Sequence, residues 1–145
     1  MGTTTFSGPV KAGTIREGAS ANVGFVVMAQ TSSWTQSTTA ASTGIIIPAN
    51  SQITAITLTI NTAPDSANLT LGTSSSANEI ISAAALGSAT DVVLDIMVSG
   101  TKATGGGAIL GDVGTSDVTL YVDAASGTSG RGELTVEYIQ NINNT

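Results

Sequence analysis

The chain has 145 residues, of which 10% are charged and 3% aromatic, and it contains neither histidine nor cysteine. It therefore lacks the usual groups for proton transfer near neutral pH, thiolate attack and soft-metal ligation, and most enzyme chemistries fall away. Ten acidic residues against four basic ones give a net charge of −6, opposite to a phosphate-binding footprint, so nucleic acid is not an expected partner.

Residues 1–18 carry glycines at 2, 8, 13 and 18 and Pro9, with little hydrophobic periodicity, and read as an extended N-terminal arm. The run from Asn22 to Ala29 is nearly continuous and apolar, which predicts a strand buried on both faces. Gln30 to Thr43 is polar, with Trp34 inside it, and predicts a long surface loop or a loop with an edge strand. Ile45-Ile46-Ile47 leads into the turn Pro48-Ala49-Asn50-Ser51. Beyond it, Ile56, Leu58 and Ile60 alternate with Ala55, Thr57 and Thr59, the period of a half-buried strand. A turn containing Pro64 and Asp65 precedes Leu69-Thr70-Leu71, and Gly72 breaks that run.

Glu79 to Leu86 has the composition of a short helix, though a loop packing inward fits it as well. Asp91 to Val98 predicts a strand, the glycines at 105, 106 and 107 a loop, and Val118, Leu120 and Val122 another strand. In the last strand, Glu133 to Ile139, Leu134, Val136 and Tyr138 share one face. Short strands punctuated by Gly, Ser, Asn and Pro predict an all-β fold, an antiparallel and jelly-roll-like β-sandwich over residues 19–145 with the arm outside it. With 41% hydrophobic residues the chain has material for one core without disulfides or metal. No apolar stretch is long enough to span a membrane and the first residues lack the pattern of a signal peptide, so a soluble chain made in the cytoplasm is expected.

Few residues suggest chemistry. Asp91 and Asp95 would share a face of one strand, the minimum for paired-carboxylate work, although exposed acids on a strand are ordinary solubility elements. Asp112, Asp117 and Asp123 lie near glycine-rich turns and offer oxygen ligands for weak Ca²⁺ binding, but their spacing matches no EF-hand and turn formation is the stronger account of them. The triple glycine lacks the Lys-Ser/Thr sequel of a phosphate cradle. Trp34, the sole tryptophan, is either an interface anchor or a cap on the end of the sandwich. Lys11 and Arg16 place half the positive charge in the arm.

The segments Phe6-Ser7-Gly8-Pro9-Val10-Lys11-Ala12-Gly13, Ile47-Pro48-Ala49-Asn50-Ser51-Gln52-Ile53 and Asn68-Leu69-Thr70-Leu71-Gly72-Thr73 resemble capsid decoration (cement) and head-fibre proteins of tailed phages, of the marine type. The resemblance implies a non-enzymatic, cofactor-free virion protein on the capsid exterior, often a homotrimer, that contacts the major capsid protein and reinforces its junctions. It also implies that the arm makes the shell contact, through Phe6, Pro9, Lys11 and Arg16. A carbohydrate-binding or adhesin-like β-sandwich, or another tail or fibre component, is the alternative. The scarcity of aromatics weakens the sugar-binding version.

Overall fold

The computed structural model describes residues 11–17, 20–65, 68–88, 90–102 and 106–140, the first two strands by their backbone pairing. β1 (Lys11–Glu17) and β2 (Ser20–Phe25) form a two-stranded antiparallel ribbon. The rest is a sandwich of a four-stranded and a five-stranded antiparallel sheet. β3 (Val27–Thr35), β11 (Arg131–Gln140), β5 (Ser51–Thr62) and β8 (Val92–Asp95) lie in that order in the first sheet. The second runs β4 (Ala41–Ile47), β10 (Val118–Ala124), β6 (Asn68–Gly72), β7 (Ile81–Ala85) and the two-residue β9 (Thr101–Lys102).

Without β9, the pairings nest like a long hairpin folded over on itself. β6 pairs with β7, β5 with β8, β4 with β10 and β3 with β11. That nesting is the jelly roll expected from the sequence. It gathers the connections 36–40 and 125–130, with the described residues 63–65, 86–88 and 90–91 of two more, at one end of the sandwich. The turn at 48–50, the connection 73–80, the start of β3 and the finish of β11 lie at the other.

The alternation in the sequence decides which faces meet. Ile56, Leu58 and Ile60 of β5 are fully buried against Leu134 and Val136 of β11 and against Ile45, Ile47, Leu69, Leu71 and Leu120 of the facing sheet, in one continuous core. At ~25 cal/mol per Å² of apolar surface removed from water, this burial is the main favourable contribution to the fold. Ile53 also points inward although it is three residues before Ile56. The β5–β11 register skips Thr54 between the pairs Ala55↔Glu137 and Ile53↔Tyr138, and the extra residue of that bulge reverses the alternation. Gly132 has a different constraint, because a Cβ there would collide with the Thr59 carbonyl.

Residues 11–17, part of the expected arm, form an extended strand paired with Ser20–Phe25. Four expectations are corrected. The apolar run 22–29 is not one strand buried on both faces. It breaks at Val26, and Val27 is 50% exposed because β3 is an edge strand with one face to solvent. The segment 79–86, expected as a short helix or an inward-packing loop, contains strand β7, whose Ile81 and Ala84 bury against the sheet. The predicted strand 91–98 stops at Asp95, where the carboxylate accepts the Val98 N–H (3.0 Å) and caps the short helix α1 (Ile96–Ser99). The triple glycine is not simply a loop, since α2 (Gly106–Gly111) begins within it and packs on β5.

Candidate functional site

At the end of the sandwich that carries four connections, one side chain ties three of them together. Gln36, just beyond β3, is 1% exposed. Its Nε2 donates to the carbonyls of Asp65 (3.0 Å) and Ser126 (2.7 Å), while its Oε1 accepts from the N–H groups of Asp65 (3.0 Å) and Gly130 (3.0 Å). All four hydrogen-bonding sites of the amide, two donors and two lone pairs, are therefore used, which removes the cost of burying it. Asp65 extends the clamp, with Oδ2 accepting from the N–H groups of Thr128 (3.0 Å) and Ser129 (3.2 Å). The Ser129 side chain, with those two N–H groups, holds the Asp65 carboxyl below its ordinary range. Gly127 has φ of 81° and lies so close to Asp65 and Gln36 that a Cβ would clash with both, so only glycine fits this turn.

Trp34 sits beneath the clamp and is 3% exposed, with its ring against Gly130. It caps the end of the core and is not a surface anchor in the folded chain. Tyr138 is also buried, so the aromatic platform that a sugar-binding reading needs is withdrawn into the core, with Tyr121 left half-buried.

The carboxylates are dispersed, and each has a local task where its contacts are seen. Asp91 adopts φ of 56° before β8 and is not a strand residue, so it does not pair with Asp95 across a strand face. Asp112 accepts from the Gly114 N–H (2.8 Å) and Asp117 from the Ala49 N–H (2.9 Å), both in turns. Asp123 lies away from them on β10. Its Oδ1 and the Thr70 Oγ1, at the paired position of β6, are buried with no hydrogen-bond partner among the described residues. No cluster of three potential metal ligands occurs among the described residues. Glu79 organises the connection after β6, accepting from the N–H of Thr73 (3.0 Å) and Asn78 (3.2 Å) and from the Ser74 hydroxyl. Burial would raise its pKa, but the Ser74 hydroxyl and the backbone N–H groups outweigh that and hold the carboxyl low.

Of the expected contact residues, Lys11 and Arg16 lie on β1, at register positions opposite Phe25 and Ala21, while Phe6 and Pro9 lie outside the described residues. A second feature had no local sequence signal. Along one side of the sandwich β3 and β4, the outermost strands of their two sheets, are joined by side chains. Gln30 Nε2 donates to the Ile46 carbonyl (2.6 Å) and to the Tyr138 hydroxyl (3.0 Å), its Oε1 accepts the Ile46 N–H (3.2 Å), and Ser32 Oγ donates to the Thr43 carbonyl (2.5 Å). The Gln30 amide thus stands in for a neighbouring strand at the edge of β4.

No protein-family model and no curated protein matches the chain. Among solved structures, a chain of the cyanophage Pam1 capsid asymmetric unit is similar in fold, with a TM-score of 0.51 and 18% sequence identity over 79% of this chain and 85% of that one.

Proposed function

We propose that the chain is a non-enzymatic structural protein of a phage virion that binds the outside of the capsid and stabilises it. The observation that carries this reading is the jelly roll itself, which spans most of the chain and resembles a component of the cyanophage Pam1 capsid asymmetric unit over most of that component's length. The chemistry is consistent with it. Neither histidine nor cysteine occurs, and the buried polar residue Gln36 is spent on holding loops together. Many repeated contacts on a particle give avidity, so each contact can be modest.

In this reading the partner is the major capsid protein, and residues 1–17 make the shell contact, with Phe6 as apolar anchor, Pro9 fixing the arm's path and Lys11 and Arg16 as charges. The protein acts as a homo-oligomer, a trimer in the simplest case, on the capsid exterior. The test is binding of the purified protein to undecorated capsids of its own phage, followed by sedimentation and particle reconstruction. The full chain is expected to decorate the shell. A chain lacking residues 1–25 is expected to keep its thermal melt and lose most of its binding, with added salt weakening the share due to Lys11 and Arg16. Failure of the full chain to bind, or density in a tail or fibre, would overturn the assignment.

A further inference from the structure

The fold divides the charge of the chain. β1 and β2 carry Lys11 and Arg16 against the one acid Glu17, whereas every other acidic residue lies beyond them, with Lys102 and Arg131 the only further bases. A net positive ribbon therefore adjoins an acidic sandwich. The pairing also places both cations of the ribbon on one face. Lys11 lies opposite Phe25 and Arg16 opposite Ala21, and the register shift that leaves out Ala12 brings position 11 onto the face of position 16. Four ladder steps separate them, about 13 Å at the usual strand rise.

The outer face of the four-stranded sheet offers the matching pair. Glu133 and Glu137 of β11 are exposed and also four steps apart, and neither has a hydrogen-bond or ion-pair partner among the described residues. The ladder places Ser33 and Thr59 beside Glu133, Thr31 and Thr57 beside Thr135, and Ala29 and Ala55 beside Glu137, a floor of small side chains on which a ribbon can lie. Arg131, the cation of the same strand, is turned to the loop, its Nη1 donating to the carbonyls of Thr128, Ser129 and Gly130. The ribbon pairs with no strand of the sandwich, and a two-stranded ribbon by itself is at best marginally stable in water. It cannot lie over its own sheet. Only Val26 joins β2 to β3, and stacked sheets pack about 10 Å apart, further than one residue reaches.

We infer that the ribbon of one copy lies on the outer face of the four-stranded sheet of a second copy, with Lys11 and Arg16 against Glu133 and Glu137. The contact joins unlike surfaces, so it runs from copy to copy and closes as a ring where the rotation permits. The inference rests on the capsid reading for its setting and refines it, leaving Phe6 and Pro9 to the shell while the two cations serve the contact between copies. Its test needs no particle, so the two can fail separately.

Size-exclusion chromatography with light scattering on the full chain, across the micromolar range, is expected to give an oligomer at low salt that dissociates as salt is added. Lys11→Glu with Arg16→Glu, and separately Glu133→Lys with Glu137→Lys, should each weaken association by roughly tenfold or more without changing the thermal melt. The second pair brings the chain nearer to neutrality, so its loss of association cannot come from general repulsion between copies. All four changes in one chain restore opposite charges across the contact and should restore the oligomer. Ser75→Lys, at an exposed turn away from both surfaces, should leave association unchanged. A monomeric wild type, an oligomer indifferent to salt, paired variants that associate like the wild type, a quadruple variant that stays monomeric, or loss of the oligomer in Ser75→Lys would each overturn the proposal.

Discussion

Gln36 is the residue on which the loop end of the sandwich depends. Replacing it with Leu keeps much of the volume but strands the N–H groups of Asp65 and Gly130 and the carbonyls of Asp65 and Ser126. A cost of about 2–4 kcal/mol is expected in urea unfolding, well above that of an ordinary surface substitution. The low carboxyls at Asp65 and Glu79 make a second expectation. A carboxyl whose pKa is lowered by folding stabilises the native state above its unfolded pKa, and that contribution is lost as the pH falls through the folded one. Ordinary values here are 3.8 for Asp and 4.5 for Glu, so the melting temperature should hold steady down to that range and fall only below it. Asp65→Asn and Glu79→Gln should each flatten the fall in acid melts. None of this was legible in the sequence, since a glutamine in a polar stretch gives no sign that the chain will close two distant loops around it.

At the scale of the element, the sequence was most informative where one face of a strand is buried. Ile56, Leu58 and Ile60 in β5, and Leu134, Val136 and Tyr138 in β11, alternate cleanly because the opposite face of their sheet meets solvent. Leu58→Ala should accordingly cost about 2–5 kcal/mol in denaturant melts, and Thr57→Ala less than about 1. Equal effects would mean that the faces had been exchanged. The misread elements lacked that contrast. β7 is mostly alanine and isoleucine, apolar enough for either structure, and it becomes a strand because β6 offers it an edge in register. The strand at 92–95 was extended three residues too far because Ile96-Met97-Val98 favours a strand locally, whereas the Asp95 cap and the contacts of α1 with β5 and β7 favour a turn of helix. The seam that joins β3 and β4 was invisible for another reason, since only the topology brings Gln30 and Ser32 to the same side as Thr43 and Ile46.

For the whole molecule, nested pairing means that most stabilising contacts join distant parts of the chain. The hydroxyls of Thr31 and Thr135, bonded at 2.9 Å across β3 and β11, are 104 positions apart. Loop closure must precede such contacts, so folding on the millisecond-to-second scale is expected in stopped-flow refolding, and microsecond folding would contradict the topology.

The same nesting sets an order on the ribosome. β11 is the shared neighbour of β3 and β5, yet it is made last among the described strands. With synthesis at roughly 5–20 residues per second, the uncharged stretch between Glu17 and Asp65 emerges seconds before the strand that will shelter it. During that interval it has neither a partner nor charge to keep nascent chains apart. Messages truncated before Arg131 should therefore yield insoluble product, whereas the full-length message yields soluble protein. Supply of soluble protein would then be limited by completed translation, since no shorter fragment contains the complete four-stranded sheet.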